Sequence, residues 1–413
     1  MYWSDLRRKS GRRGWCRFKV KSVEKSEPAC VSSDENVVYT CAFEDRSMGS
    51  IRIGLLRLFS MSWIMWQELL FRGGNVSKAG NYYYDQLNKE QQRAYYAMKE
   101  GLLNLQDSFA VPMLSKKELS DIYFMIRMDC PAIFYSVTFS YKYYADSTVV
   151  EMVPQYLFSK DKIKEHRQAM ESRVKKLARQ AANLDEKGKE LFIHDFIVQN
   201  VKYDKLKKEY SHEIIGALGN GVAVCEGMAK AVKILCDELN IWCIIALSEA
   251  NPDKGIKYRH AWNVIRIDGQ FYHLDVTFDN TLSKDDTVRY DYVNLSDKQI
   301  FRDHEPVIWK VPVCSDNDHF YYKEKKISWT TMDEVRNRTK QAVKKGKVLL
   351  FHWRGGYLTR EILAELLEIF NKEAQAKERK AYVSVNWPQA VLRVRFEDGV
   401  VEEQLEMEEA NEG

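Results

Sequence analysis

A cysteine in the middle of the chain has the residue type and the setting of a catalytic nucleophile. Gly216, Gly219 and Gly221 predict a turn that leads to Cys225. Cys225 directly precedes apolar residues at helical spacing, so the sequence predicts that it lies in the first turn of a helix. The free N–H groups and partial positive charge of a helix N-terminus stabilise a thiolate, and the same amides can hold a developing oxyanion. Cys236 and Cys243 fall within a predicted helix and a predicted strand, where cysteine is a small apolar filler.

His260 and Asp275 are predicted to lie side by side on a hairpin. Residues 268–269 are Asp-Gly, a strong signal for a two-residue turn between a strand that begins at His260 and a strand at Phe271–Phe278. This register makes His260 and Asp275 diagonal neighbours on one face, about 7–8 Å apart at the backbone and within reach of their side chains. His260 could then deprotonate or ion-pair with Cys225, while Asp275 fixes its tautomer and stabilises the imidazolium.

Two other interpretations of these segments remain open. His260, His273 and Asp275 fall on the same predicted hairpin face, and two histidines with a carboxylate can hold non-haem iron. Such a metal site would leave Cys225 at a helix start unexplained. In the other interpretation, the chain is a non-enzymatic interaction module that retains the three residues. Two further histidines are predicted to be structural: His212 and His304.

Length and composition predict a globular protein of two or three domains. The chain has 413 residues, 45% of them apolar and 30% charged, which exceeds one ordinary core and excludes a disordered or fibrous protein. The net charge of +4 favours no class of partner, and the tyrosine clusters lack the interleaved basic residues of nucleic-acid readers. No zinc-protease, P-loop or calcium-loop motif occurs, so we expect neither a metal nor a cofactor.

The cysteines and the amino terminus favour a cytoplasmic location. The eight cysteines form no Cys-x-x-Cys motif, and the chain is far larger than a disulfide-stapled miniprotein. No secretory signal is recognisable at the amino terminus. Ile53–Phe71 is the most apolar stretch, but Arg57, Gln67 and Glu68 interrupt it, so we predict a buried or interfacial helix there and no transmembrane segment.

The sequence predicts four regions: a leader of unknown role at 1–75, an N-terminal helix and strand region at 76–180, a catalytic core at 181–310 and a C-terminal module at 311–413. No capped element precedes Asn88, so the leader is predicted to be dispensable for the core. The C-terminal module is a small α/β unit of alternating strands and helices with an acidic tail. It carries no catalytic motif, so packing or partner docking is its expected role.

Helix and strand signals define the N-terminal region in more detail. Asn88 and Ser115 each begin a capping-box pattern and so predict two helix starts. Phe134–Tyr144 and Val149–Tyr156 are rich in β-branched and aromatic residues and are predicted to form an antiparallel pair. A long, strongly charged helix is predicted to follow them.

Several segments resemble motifs of the transglutaminase-like superfamily, in its bacterial branch. The segments are Asn220–Lys230, His260–Asn263, His273–Asp279 and, at the end of the similarity, Arg302–His304. The resemblance is strong over 190–305 and weaker over 82–175. It implies a papain-like, transglutaminase-like α+β core, in which a helix bearing the cysteine packs on an antiparallel sheet bearing the histidine and the aspartate. It also implies that Cys225, His260 and Asp275 form the catalytic triad.

The resemblance further implies an enzyme that acts on amide bonds of a protein or peptide substrate through a thioester. The superfamily includes protein cross-linkers, peptidases and deglycosylating amidases, so the acyl group would be either transferred to an amine or hydrolysed. No feature of the sequence selects between these outcomes. The candidate substrate-binding or oxyanion-stabilising residues are Trp262, Tyr203 and Tyr210.

Overall fold

A computed structural model describes residues 29–33, 38–42, 80–144, 147–283 and 287–398. The apolar stretch Ile53–Phe71 lies outside these residues. Among the residues described, no helix is both long enough and apolar enough to cross a membrane.

The N-terminal part consists of a mixed sheet with helices packed beside it. The strands are β1 Ala29–Ser33, β2 Val38–Ala42, β3 Phe109–Pro112, β4 Ser136–Tyr143 and β5 Val149–Tyr156, and the helices are α1 Lys89–Leu103, α2 Lys116–Asp129 and α3 Lys160–Ala181. The sheet has the order β1-β2-β4-β5-β3. Both predicted capping boxes are present, at Asn88 and Ser115. The antiparallel pairing of β4 with β5 and the long charged helix α3 are as predicted.

The leader contributes to this sheet. Strand β2 pairs in parallel with β4, with Thr40 opposite Tyr141, and β1 pairs with β2. The predicted dispensability of residues 1–75 rests on the absence of a capped element before Asn88, and these strand pairings connect part of that region to β4. The capping patterns could not reveal this, because strand pairing joins residues about a hundred positions apart and leaves no local signature.

The central part places a helix against a four-stranded antiparallel sheet. The strands of this part are β6 Lys202–Tyr203, β7 Val222–Ala223, β8 Cys243–Ser248, β9 His260–Ile267, β10 Gln270–Leu274 and β11 Val293–Leu295, and its helices are α4 Glu186–Asn200, α5 Cys225–Glu238, α6 Val276–Leu282 and α7 Asp297–Ile300. The four-stranded sheet has the order β11-β10-β9-β8, and β6 pairs with β7 separately. Helix α5 contacts both β8 and β9. The predicted α+β architecture, with the cysteine-bearing helix packed on an antiparallel sheet, is confirmed.

Two local predictions in this part are wrong. The hairpin register is as expected, with Gln270 opposite Ile267, but β10 ends at Leu274 instead of continuing to Phe278. Asp275 ends the strand because its side chain accepts the backbone N–H groups of the next turn and so begins α6. The glycine-rich approach to Cys225, predicted as a turn, is a π-helix at Ile215–Asn220.

The C-terminal module alternates strands and helices as predicted. It comprises α8 Tyr321–Glu324, β12 Ser328–Trp329, α9 Met332–Lys345, β13 Leu349–Trp353, α10 Arg360–Gln375, β14 Arg379–Asn386 and β15 Val391–Asp398, with the sheet order β12-β13-β15-β14. Thr331 caps α9, and Gly346 ends it in the left-handed conformation.

The buried apolar residues form three clusters. One runs from Tyr83 to Val293, so the N-terminal and central parts share a continuous core. A second, from Trp329 to Val394, lies within the C-terminal module. The third joins the central sheet to that module, where the buried carboxylate of Asp291 also accepts hydrogen bonds from Tyr322 and Asn386. The module is thus tied to the central part by apolar and polar contacts.

Candidate active site

Cys225 is the first residue of α5, as the sequence predicted. The preceding residue, Val224, offers no side-chain cap to the helix, so the backbone N–H groups of the first turn remain available. The thiol is half-buried and not in a disulfide. It therefore lies at the positive end of a helix with a path to solvent.

A close backbone approach fixes the start of this helix. A Cβ atom at Gly227 would lie 2.2 Å from the carbonyl oxygen of Ser211, and the same carbonyl accepts the N–H of Val224 at 3.0 Å. Only glycine permits this contact. Ser211 also donates its hydroxyl to Asp204, which holds the loop before Cys225 in place. The cysteine is thus positioned by a rigid turn rather than by its helix alone.

His260 and Asp275 form a short hydrogen bond, with Nε2 of His260 2.6 Å from Oδ2 of Asp275. Asp275 is buried, and its other oxygen accepts the backbone N–H groups of Thr277 at 2.8 Å and Phe278 at 3.1 Å. The helix cap that ends β10 therefore also orients the carboxylate toward His260.

The charged forms of His260 and Asp275 stabilise each other. Burial opposes protonation of His260, but Asp275 and a hydrogen bond to the Cys225 thiol outweigh it and raise its pKa to about 10. Burial likewise opposes ionisation of Asp275, yet His260 and His304 hold its pKa below the usual range of aspartate. His260 is thus an imidazolium at neutral pH, hydrogen-bonded to the carboxylate of Asp275 and stabilised also by Cys225.

Trp262 contacts His260 through its ring rather than through its N–H. The two rings are stacked, with centroids 5.8 Å apart and planes 16° apart. The indole N–H donates to Nδ1 of His273 at 3.0 Å, deep in the core. Trp262 therefore fixes the orientation of the imidazole ring. Its N–H already donates to His273 and does not point at the substrate site.

The two candidate tyrosines differ in their relation to Cys225. Tyr203 pairs with Ala223 across the short β6–β7 ladder, two residues before the cysteine. Burial, Cys225 and nearby carboxylates raise the pKa of Tyr203 to about 12, so its hydroxyl stays protonated at neutral pH. Tyr210 lies in a single 3-10 turn, Glu209–His212, where the ammonium of Lys208 lies 5.6 Å from its ring centroid.

The sequence did not identify His304 as part of the site. Its Nε2 lies 2.9 Å from Oδ2 of Asp275, the same oxygen that contacts His260, and its Nδ1 lies 2.8 Å from Asp303. His304 reaches Asp275 from a segment 29 residues further along the chain. The only signal was the Arg302–His304 motif. The other histidine predicted to be structural, His212, contacts Glu226 at 3.1 Å.

Within the described residues, two groups of side chains have donor atoms close enough together to hold a metal ion. They are His260, Asp275 and His304, and His273, Asp297 and Cys314. The predicted metal set of His260, His273 and Asp275 is not assembled, because the two ring nitrogens of His273 contact Trp262 and Asp297. In a tetrahedral zinc site, bonds of about 2.1 Å keep neighbouring ligand atoms roughly 3.4 Å apart. The 2.6 and 2.9 Å contacts of Asp275 are hydrogen bonds instead.

A buried set of four charges lies beneath the first turn of α5. Glu213 contacts Arg127 of α2 at 2.6 Å and Lys230 of α5 at 2.8 Å. Glu226, next to Cys225, contacts the same two cations at 3.0 and 2.8 Å. The two carboxylates balance the two cations, and the set links α2 and the end of the 3-10 turn Glu209–His212 to the cysteine-bearing helix.

Comparison with known proteins extends the resemblance seen in the motifs. Residues 175–276 match the family model of the transglutaminase-like superfamily, a segment that contains Cys225, His260 and Asp275. No curated protein sequence matches the chain. Among solved structures, it is similar to a candidate cysteine protease from Cytophaga hutchinsonii, with 25% identity over 26% of this chain and 37% of that one and a TM-score of 0.22. It is also similar to a TGase, with 13% identity over 48% and 60% of the two chains and a TM-score of 0.25.

Proposed function

We propose, from the transglutaminase-like domain at 175–276, that this protein is a cysteine enzyme that cleaves amide bonds of proteins or peptides through a thioester. The observation that carries the proposal is the 2.6 Å hydrogen bond between His260 and the buried carboxylate of Asp275, with Cys225 among the groups that raise the pKa of His260. A half-buried, free thiol at a helix start completes the arrangement. This constellation suits acyl transfer to sulfur.

In the first half of the reaction, the Cys225 thiolate attacks the carbonyl carbon of the amide, and a carbon–sulfur bond forms. The electron pair of the carbonyl moves to its oxygen, which becomes an oxyanion. The His260 imidazolium then gives its proton to the amide nitrogen, the carbon–nitrogen bond breaks and the amine leaves. Asp275 keeps the imidazole in the required orientation and stabilises its cationic form.

In the second half, an amine or water attacks the thioester carbonyl. His260, now neutral, takes the proton of the attacking nucleophile, the carbon–sulfur bond breaks, and Cys225 returns as a thiolate. An attacking lysine amine gives an isopeptide cross-link, whereas water gives hydrolysis. We propose that the site performs one or both of these steps.

The oxyanion would be held by donors at the start of α5. The backbone N–H of Cys225 belongs to the uncapped first turn. Of the three aromatic candidates, we propose Tyr203 as a second donor, because its hydroxyl remains protonated and Cys225 is among the groups that act on it. Trp262 would position His260, and Tyr210 would contribute to the wall of the cleft.

We also propose a reducing, cytoplasmic environment and a docking role for the C-terminal module. Cys130, Cys225, Cys236, Cys243 and Cys314 are free thiols. The module of α8 to β15 has its own core and lies against the central sheet, so a partner or substrate protein held by it would be brought close to the site.

The activity is tested by incubating the protein with pools of glutamine-bearing and lysine-bearing peptides. Cross-linked pairs, deamidated glutamine and cleaved peptides are scored separately by mass spectrometry. Any of these products should form with the wild-type protein and be absent with Cys225→Ser. Product formation by Cys225→Ser would contradict Cys225 as the nucleophile. No product from the wild type at any pH between 6 and 9 would favour the non-enzymatic interaction module.

Cys225 is expected to be the most reactive of the eight thiols. It is half-buried beside an imidazolium, whereas Cys236 and Cys243 are fully buried. Limited iodoacetamide treatment at neutral pH, followed by peptide mapping, should label Cys225 first. Because the pKa of His260 is about 10, this preference should persist through mildly alkaline pH. Earlier labelling of Cys236 or Cys243 would contradict the assignment of the nucleophile.

A further inference from the structure

The carboxylate of Asp275 is held by four donors, and one of them is a second histidine. One oxygen accepts the two backbone N–H groups of the helix cap. The other oxygen lies 2.6 Å from Nε2 of His260 and 2.9 Å from Nε2 of His304. The lone pairs of the carboxylate are therefore all engaged, so it cannot rotate without losing a hydrogen bond.

The far side of His304 also faces a carboxylate. Its Nδ1 lies 2.8 Å from Oδ1 of Asp303, and the other oxygen of Asp303 accepts the hydroxyl of Tyr292. The His304 side chain is only 1% exposed, so water does not supply alternative partners. Ionised carboxylates accept but do not donate hydrogen bonds. Both ring nitrogens of His304 must then carry a proton, which makes the ring an imidazolium between two anions.

We infer that His304 is a positioning residue of the catalytic site, whose cationic ring fixes Asp275 for His260 and compensates part of the charge of that carboxylate. The inference rests on the proposed function and extends the triad from Asp275 through His304 and Asp303 to Tyr292. His304 and Tyr292 are buried, so they would act through Asp275 rather than on the substrate.

The positive charge of His304 would help His260 to release its proton. His260 must hold a proton in the resting ion pair and then release it to the leaving amine. A bare buried carboxylate 2.6 Å away would stabilise the imidazolium so strongly that proton release would be slow. His304, with its ring centroid 5.2 Å from that of His260, opposes this stabilisation and keeps the proton transferable.

The groups that surround the two imidazoles are defined by the structure. The titratable ones are Asp275, Asp303, Tyr292, His273, Cys225 and Tyr203. Trp262 and Phe278 pack against both rings and carry no charge. His304 is therefore the only cation among the described side chains that contact Asp275 besides His260.

The test is the pH profile of Cys225 alkylation in the full-length protein. His304→Gln keeps an amide donor toward Asp275 but removes the charge. Because a nearby cation favours loss of a proton from the thiol and imidazole pair, its removal should move the acid limb of the profile up by about one pH unit. Asp303→Asn weakens the hold on the His304 cation and should move the limb in the same direction by a smaller amount.

The matched control is His319→Gln. His319 also lies between two carboxylates, 3.3 Å from Asp268 and 3.7 Å from Glu324, but outside the site. Its replacement should leave the profile unchanged. An acid limb that stays in place in folded His304→Gln would overturn the inference while leaving Cys225 as the nucleophile. A wild-type protein without preferential labelling of Cys225 would instead count against the proposed function.

A second measurement does not depend on how the variants fold. Nitrogen-15 NMR of histidine-labelled wild-type protein distinguishes an imidazolium, with two protonated ring nitrogens, from either neutral tautomer. The His304 resonances, identified by through-bond assignment, should have the imidazolium pattern at pH 7. A neutral pattern at that pH would overturn the inference.

Discussion

Replacing Asp275 with asparagine is expected to reduce turnover by on the order of 10³–10⁴-fold. The amide has the shape of the carboxylate, so it can still accept the backbone N–H groups that begin α6. It cannot balance the positive charge on His260, and its NH2 group can turn toward Nε2 and favour the wrong tautomer. Alkylation of Cys225 should slow in parallel, because the ion-pair partner of the thiol is no longer held.

Two measurements on the Asp275→Asn protein separate the triad from a metal site. In the triad, the alkylation rate of Cys225 falls and the metal content of the purified protein does not change. In a metal site, a stoichiometric metal would disappear while the alkylation rate stayed constant. Asp195→Asn is the matched control, since Asp195 also pairs with a histidine, His194, at 2.9 Å but has no contact with the site. It should leave both quantities unchanged.

Short-range patterns were sufficient to predict that Cys225 begins a helix and that His260 lies near Asp275. The helix start at Cys225 follows from the apolar spacing after it, and the Asp-Gly turn sets the register that brings His260 near Asp275. Both features depend on residues within about fifteen positions of one another. The strand beyond Leu274 was predicted wrongly because the capping tendency of Asp275 outweighs the β propensity of the residues that follow it.

The remaining features depend on contacts between distant segments, which periodicity does not encode. His304 joins the site from a loop after α7, and its role is visible only when Asp275 and Asp303 are seen on its two sides. The pairing of β2 with β4 is of the same kind. Tyr83 of the N-terminal region and Val293 of the central part belong to one continuous apolar core, which the predicted regions did not indicate. Local signals locate elements, but they do not say which elements share a core.

The buried charges beneath α5 give the second large prediction, which concerns stability. Glu213 is fully buried and contacts both Arg127 and Lys230. In Glu213→Gln, only Glu226 remains to balance two buried cations. Removing one partner of a buried ion pair costs roughly 3–5 kcal/mol, because the remaining charge is left uncompensated. Urea unfolding followed by circular dichroism should show a loss of this size in the free energy of unfolding.

A double variant separates charge imbalance from damage to packing. Glu213→Gln with Lys230→Met removes one charge of each sign, so Arg127 and Glu226 remain as a balanced pair at 3.0 Å. The double variant should therefore be more stable than Glu213→Gln alone, although it carries one more substitution. Glu209→Ala, at an exposed position four residues earlier, should change the free energy of unfolding by no more than about 0.5 kcal/mol. If the double variant were less stable than the single one, packing would dominate at this position. The four charges would then hold the start of the cysteine-bearing helix through their shape and hydrogen bonds, rather than through their mutual neutrality.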